Sequence, residues 1–497
     1  MKPRTPHRIA FPLVLALAAS GCPDNNGSDP PKNRIFFPIA AALQRSAPGA
    51  DANFLYVVNA NFDLRYNGST VAALDLRKLR GRLGYSNRGA RVNLGEPPRP
   101  APVGCVTDPA DTSAVLCDED PPHPPPADNC DLALVCAGGT RKINPYAVEA
   151  ALATYERGEE PDVQRLYVLV RGGNTMAWFD VDAMTGRLNC GTIDDRGYCS
   201  ADHATGGDPA QSRPAGTRLP ADPSSLSVDP RRGLIVVTHQ SFDEGSPRAT
   251  LFYDPASLVN PPQNTRPYLV NVVGGLAVGL SSLALLPRAS EAPSNRSTWL
   301  VTSRSSATFT TLQAYPGDAP MGDGRIFLYR ASTAPVTGLN NGADSRALAL
   351  DPREPTRRAY VVSRRPEALL TLDIRNPAAP VVESAIPLPS GSSRLVAVAE
   401  GDRTLVYTVS YDSRRIYVVD PSLYGDNPTS AIVAQIASGR GPHAIIHDPL
   451  DKVLYVLDFL DAAVEVIDVA PTYTDGTANR MYNRRIATVG APGRRPQ

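Results

Sequence analysis

One short pattern recurs through the chain: a bulky or aromatic residue, then β-branched residues, then a small polar one. It reads Leu55-Tyr56-Val57-Val58-Asn59, Leu166-Tyr167-Val168-Leu169, Leu234-Ile235-Val236-Val237-Thr238 and Trp299-Leu300-Val301-Thr302-Ser303. It returns as Ala359-Tyr360-Val361-Val362-Ser363, Val406-Tyr407-Thr408-Val409-Ser410 and Leu454-Tyr455-Val456-Leu457-Asp458. Self-similarity at a period of tens of residues marks a repeat architecture, in which each unit buries its apolar faces against its neighbours. The spacing shrinks from about 110 residues between the first two copies to about 47 and 48 between the last three, so the early units carry insertions.

Each copy sits in the same order of short segments. An apolar strand ending near Asp-Pro comes first, as in Ser225–Pro230, Ala347–Pro352 and Ala444–Pro449. The Tyr-Val strand follows, then a third strand ending in Asp (Asp75, Asp180, Asp373, Asp420 and Asp468), then a weaker outer strand. The recurrent Asp suits a carboxylate accepting backbone N–H groups in the next turn rather than a catalytic acid. Low aromatic content, 6%, and 49 prolines fit short strands joined by turns. Tyr268–Leu286 is apolar enough for a membrane span, but Gly274-Gly275 reads better as a turn between two buried strands. Alternating side chains put one set on each sheet face, where consecutive sheets stack. Seven such units predict an all-β fold, a β-propeller of seven four-stranded blades. Eight blades with one degenerate unit stays open, because the outer strand after Leu328-Tyr329 is hard to place.

The final unit, Gly441-Pro442-His443 to Asp468, resembles the YVTN-type β-propeller repeat, as do the units from Tyr360 and Tyr407. The Asn after Tyr-Val survives only as Asn59. At the N-terminus, Met1-Lys2-Pro3-Arg4 and Arg8 precede an apolar run, Ile9–Ala19, and then Ser20-Gly21-Cys22. The run is too short to span a bilayer and reads as a secretory signal. The cysteine after small residues resembles the lipobox of bacterial lipoproteins, with Ala19 where Leu is usual. The reading is therefore a signal over 1–21, lipidated Cys22, a polar tether over 22–33, a propeller over 34–490 and a disordered tail over 491–497. The resemblance implies a cell-envelope location with the membrane as partner through the lipid, the outer membrane being the default side. Ordinary secretion, with Cys22 in a disulfide, is the alternative.

Setting Cys22 aside leaves six cysteines, an even set that points to disulfides in an oxidising compartment. Cys190 and Cys199 close a short loop. Cys105, Cys117, Cys130 and Cys136 fall in an insertion over about 78–142, in or after the first unit, and allow three connectivities. This insertion has too little apolar material for a core of its own and is expected as a disulfide-stapled loop packed on the propeller. Further loops are expected over 194–219 and 305–323. No Cys-x-x-Cys pair exists, so neither a metal nor a cofactor is expected. Lys plus Arg equals Asp plus Glu at 50 each, which gives no charge argument for nucleic acid.

No catalytic motif is present. In a propeller, the loops entering each first strand and leaving each second strand gather at one mouth of the central channel. Aligning the units puts Ser224, Ser281, Arg346, Arg394 and His443 before the first strand. Ala60, Arg171, His239, Arg304, Arg364, Tyr411 and Phe459 follow the second. The candidate ligand-binding set is Arg171, His239, Arg304, Arg346, Arg364, Arg394 and His443. Converging guanidinium groups suit a carboxylate, phosphate or sulfate. Solvated cations paired with nearby acids are the alternative. The aromatic and charged segment Asn61–Gly68 either packs the cysteine insertion or meets a partner. The function implied is a lipid-anchored scaffold for a small anionic ligand or an envelope protein. A propeller enzyme of lactonase-like or dehydrogenase-subunit type, with His443 or His239 as base, is the alternative that fold resemblance allows.

Overall fold

The computed structural model describes residues 27–84, 101–120, 133–157, 160–213, 216–241, 243, 245–246, 248–258, 265–287, 296–315, 326–336, 343–425 and 427–490. The expected signal peptide, Cys22, Cys130 and the C-terminal tail lie outside these residues. Seven antiparallel sheets follow one another, each holding four strands in sequence order from the inside outward. Blade 1 comprises Pro38–Arg45, Ala52–Asn59, Ser69–Asp75 and Arg141–Ile143. Blade 2 comprises Ala147–Arg157, Glu160–Val170 and Thr175–Val181. Its outer strand is split into Leu188–Asn189 and Ala204–Thr205. Blade 3 uses Pro223–Asp229, Leu234–His239, Ala249–Tyr253 and Tyr268–Val273, and blade 4 uses Leu280–Leu285, Ser297–Ser303, Thr308–Tyr315 and Phe327–Pro335. The inner strands of blades 5, 6 and 7 are Ser345–Leu350, Ser392–Glu400 and Pro442–Asp448. Each of the seven inner strands touches the inner strands of the two flanking blades, so together they ring a central channel. Leu328 and Tyr329 lie within the outer strand of blade 4, and no eighth sheet occurs among the described residues. The loop expected over 305–323 is, over Thr308–Tyr315, the third strand of that blade.

The Tyr-Val strands form the second position of each blade, where both faces are covered. That is why they carry apolar residues without alternation. Tyr56, Tyr167, Tyr360, Tyr407 and Tyr455 are each at most 1% exposed, and Trp299 is fully buried. Seven apolar clusters result, one at each blade interface. Each buried ring or branched chain contributes about 1.5–3 kcal/mol. Two of the hydroxyls bond across the seams: Tyr56 donates to Gly186 O at 3.3 Å, and Tyr407 to Asn483 Oδ1 at 2.8 Å. The expected turn role is observed for four of the five strand-ending aspartates, while Asp180 instead accepts Arg165 Nε at 2.7 Å. Asp75, Asp373, Asp420 and Asp468 each accept the N–H two residues on, at 2.9–3.0 Å.

The main insertion separates the third and fourth strands of blade 1. It opens with a helix, Leu76–Leu83, capped by Asp75. Its hairpin, Cys105–Thr107 with Val115–Cys117, is stapled by the Cys105–Cys117 disulfide. Val115–Cys117 pairs parallel to Arg484–Val489, the outer strand of blade 7. A segment leaving the first blade thus becomes the edge of the last, and Arg485 pairs with Asp108 of the hairpin at 2.6 Å. The Cys190–Cys199 disulfide is present as expected, and Cys136 is also disulfide-bonded.

Two buried ion pairs close the ring between blades 1 and 7. Arg45 meets Asp448 at 2.6 Å, and Arg80 of the helix meets Asp451 at 2.8 Å while also donating to Ala52 O at 2.7 Å. Asp448 and Asp451 are fully buried. Removing one partner of such a pair costs about 3–5 kcal/mol because the other charge stays desolvated. Arg80→Ala is therefore expected to lower unfolding free energy in urea by that amount, and adding Asp451→Asn should recover part of it. A wild-type unfolding midpoint for Arg80→Ala would show that closure does not rest on this pair.

Candidate functional site

Two backbone features repeat seven times and define the mouth of the channel. The N–H just past each second strand donates to the carbonyl just before each first strand. The pairs are Ala60 to Phe37, Arg171 to Tyr146, Gln240 to Asp222, Arg304 to Gly279, Arg364 to Asp344, Tyr411 to Gly391 and Phe459 to Gly441, all at 2.8–3.1 Å. Six of the seven acceptor residues have positive φ, among them the non-glycine Phe37 (44°), Tyr146 (63°) and Asp222 (60°). In addition, every inner strand carries one extra residue immediately after its first pair with the second strand. A bulge of this kind bends the strand and re-aims a side chain. The bulged residues include Ile39, Val148, Ser224, Arg346, Ser393 and His443.

This register corrects two expected alignments. The equivalent of Arg304 and Arg364 in blade 3 is Gln240, and His239 lies one residue earlier, inside the second strand. It is fully buried, with Nδ1 3.1 Å from Ala221 O and Nε2 2.9 Å from Thr250 Oγ1. Burial pushes its imidazole down to about 4. His239 is a satisfied core residue and leaves the site. In blade 6 the bulged residue is Ser393, and Arg394 occupies the next position, paired opposite Val409.

Other mouth residues stitch one blade to the next. Ser224 Oγ donates to Leu280 O at 3.0 Å, and Ser281 Oγ to Ser345 O at 2.6 Å. Arg364 donates from Nη2 to Gly391 O at 2.8 Å and from Nε to Ser392 O at 3.0 Å. Arg171 is taken up by Asp222, while Arg304 reaches Gln240 Oε1 at 3.1 Å and Asp344 at 3.5 Å. Arg346 Nη2 meets Asp344 Oδ2 at 2.6 Å, whereas its buried Nε has no hydrogen-bond partner among the described residues.

Arg394 does something different. Its Nη2 lies 3.2 Å from Glu149 Oε2. Glu149 belongs to the inner strand of blade 2 and Arg394 to that of blade 6, so the pair spans the channel. Sequence reading missed Glu149, whose only visible signal is an acid in an otherwise apolar strand. Arg346, Arg364 and Arg394 all bear electrostatically on His443. Burial first, then these cations, push its imidazole down to about 4. His443 Nδ1 lies 3.1 Å from Ile39 O, which fixes the proton on Nδ1 and leaves Nε2 as an acceptor. Arg304, Arg346, Arg364 and Arg394 thus face Asp344 and Glu149, with Asp412 and Glu367 near Arg364 and Asp222 holding Arg171.

The arc on the other side of His443 is aromatic. Phe459 lies 6.2 Å from His443, 5.2 Å from Phe37 and 5.9 Å from Phe62, which lies 5.9 Å from Tyr146. Phe62 is 53% exposed. The Asn61–Gly68 segment packs on the second insertion and on the N-terminal segment. Tyr198 of the second insertion donates to Asn67 O, Asn67 Nδ2 donates to Asp29 at 3.0 Å, and Phe62 is left at the mouth. Cavities also flank the blades. One of about 950 Å³ flanks blade 2 beneath the Cys190–Cys199 loop, lined by Lys142, Phe179, Tyr198 and His203. Another of about 580 Å³ lies at the opposite end, between blades 5 and 6, lined by Glu354, Arg358 and Arg403. Converging charge is what distinguishes the mouth.

No protein-family model matches the chain, and no curated protein matches it. Among solved structures it is similar to hydrazine synthase of Kuenenia stuttgartiensis, at 10% identity and a TM-score of 0.48, over 87% of this chain and 96% of that one. It is also similar to a periplasmic gluconolactonase of Pseudomonas aeruginosa, at 12% identity and a TM-score of 0.44, over 82% of this chain and 87% of that one.

Directly below Phe459 lie two buried acids, Asp458 and Glu465, both approached by Ser438 Oγ, at 3.1 and 2.8 Å. One hydroxyl proton cannot serve two carboxylates, so a proton on Asp458 completes the arrangement. Burial, then the Glu465 charge, hold the Asp458 carboxyl well above its ordinary range. Its stabilising contribution is present in acid and is lost as pH rises from the unfolded value toward the raised folded one. Asp458→Asn is expected to raise the melting temperature at pH 8 by roughly 2 °C or more, with the gain shrinking toward pH 4–5. A gain independent of pH would contradict a buried proton there.

Proposed function

We propose that this chain is a lipid-anchored cell-envelope β-propeller that binds an anionic ligand at one mouth of its channel. Arg346, Arg364 and Arg394 are the binding groups. The observation that carries the reading is the ion pair across the lumen: Arg394 is already satisfied by a carboxylate, that of Glu149, at a point other cations crowd. Guanidinium stays charged at any physiological pH and offers paired donors to a carboxylate. The likeness of the C-terminal units to YVTN-type repeats, and of Ser20-Gly21-Cys22 to a lipobox, support the address. The location would then be the envelope, with the membrane as partner through Cys22.

A catalytic use of the mouth is the weaker reading. His443 Nε2 has a free lone pair, but a base held near pKa 4 takes protons poorly at neutral pH. Binding without turnover fits that value better.

A thermal-shift screen of the full chain against acetate, citrate, phosphate and sulfate tests the proposal, since a ligand of the native state raises the melting temperature by mass action. The expected result is a shift with at least one anion that disappears in Arg394→Ala. A flat screen on folded protein, or a shift indifferent to Arg394, would overturn the site. The address has its own check. Cys22→Ala is expected to move the chain from the detergent-extracted membrane fraction to the soluble fraction, and unchanged membrane partition would exclude a lipid anchor at Cys22.

A further inference from the structure

The mouth has two unlike halves, and their contacts form one circuit. Arg364 holds the loop that leads into the inner strand of blade 6, at Gly391 and Ser392. Arg394 follows in that strand. In blade 7, His443 touches Phe459, which touches Phe37 and Phe62 of blade 1. Phe62 touches Tyr146 of blade 2. Three residues beyond Tyr146 stands Glu149, which returns to Arg394. The aromatic arc and the arginine arc therefore border the same opening, and the Arg394–Glu149 pair crosses it.

Three observations say what such an opening would take. First, Phe37 and Tyr146 sit at left-handed positions where blades 4, 6 and 7 use Gly279, Gly391 and Gly441. A bulky residue there costs about 1–2 kcal/mol of backbone strain that glycine would avoid. Aromatic rings stand at these two places all the same, beside the exposed Phe62. Second, ring faces carry negative quadrupoles and edges positive ones, so offset or edge contacts with a flat apolar body are favourable. Third, the occupant of Arg394 is a carboxylate on a short stem. Glu149 Oε2 takes the guanidinium, while Oε1 accepts the Ala150 N–H at 3.3 Å. Arg394 and Glu149 remain 25% and 19% exposed, so solvent reaches the pair and an incoming anion can compete for it.

We propose that the mouth binds a flat aromatic carboxylate. Its carboxylate displaces Glu149 from Arg394, and its ring lies against Phe62 and Phe459. The inference rests on the anion-binding reading above and adds the chemistry of the rest of the ligand. Glu149 then acts as an internal competitor that weakens every anion, so that ligands whose ring contacts add to the head group are favoured over small ones.

Isothermal titration of the full chain with acetate, benzoate, 2-naphthoate and phenyl phosphate tests this. The expected result is naphthoate binding at least tenfold tighter than acetate. Phe62→Ala, a change at an exposed side chain, should reduce that ratio by at least threefold. Glu149→Gln should tighten naphthoate by at least threefold, because the competitor loses its charge while the strand keeps its shape. Equal affinity for acetate and naphthoate overturns the aromatic inference and leaves the anion site standing. A tenfold preference for phenyl phosphate over benzoate overturns the carboxylate head group. Absence of binding by every probe, in the wild type and in Glu149→Gln alike, overturns both readings.

Discussion

Seven copies of one hydrogen bond set the geometry of the channel mouth, and the site is built on them. The N–H that follows each second strand closes onto the carbonyl that precedes each first strand. This clasp fixes where every blade begins, and it holds the preceding residue in the left-handed region at six of the seven entries. The chain then enters the inner strand with one residue too many, and the bulge absorbs it. Because clasp and bulge come in the same order each time, equivalent positions in seven separate stretches of sequence arrive at one rim. Residues scattered over some 400 positions thereby become neighbours without any secondary structure being unusual.

The rim is only as fixed as the ring that carries it. Apolar burial at the seven seams holds each blade to the next, and Tyr56, Tyr167 and Tyr407 reach over with their hydroxyls. The seam between the first and last blades, which joins the two ends of the chain, has an apolar cluster like the others. The insertion reinforces it. A hairpin leaving blade 1 adds a parallel strand to the edge of blade 7, and Arg80 and Arg45 bring buried charge to Asp451 and Asp448 at the same seam. An exposed sheet edge is a hazard in any β protein, and covering the last one with a stapled hairpin addresses that hazard and closure together.

The blades were legible in the sequence because burial on both faces leaves a local trace: Tyr360-Val361-Val362 reads as a covered strand from composition alone. The Asp-terminated turns were legible for the same reason, since an Asx turn spans two residues. The arginine-rich rim was legible in outline once units were aligned. The alignment slipped by one at His239 and Arg394 because a bulge leaves no mark in composition, and a one-residue shift separates rim from core in a strand. Three features were not legible at all. The hairpin pairs with a strand over 360 residues away. Glu149 finds its partner across the lumen, three blades round. Phe62 gains meaning only from Phe459. Each depends on closure of the ring, which no local window contains.

Exposure separates the ion pairs that hold the fold from the one offered here as exchangeable. Arg80 and Asp451 are 6% and 0% exposed, and no solute can replace either partner without entering the core. Arg394 and Glu149 make a contact of similar kind in a lumen that water reaches, where such a pair is worth about 0–1 kcal/mol net. A weak internal pair at a crowded cationic point is a poor structural tie, because neither inner strand needs it to stay in register. It is, however, a handicap that weighs most on ions that have nothing else to offer. The arginines gathered at the rim keep the mouth attractive to anions even while Glu149 is in place, and the uncommitted Arg346 Nε provides a donor that no described residue uses. A solute whose binding adds ring contacts to its charge exceeds that small threshold by more than one with charge alone.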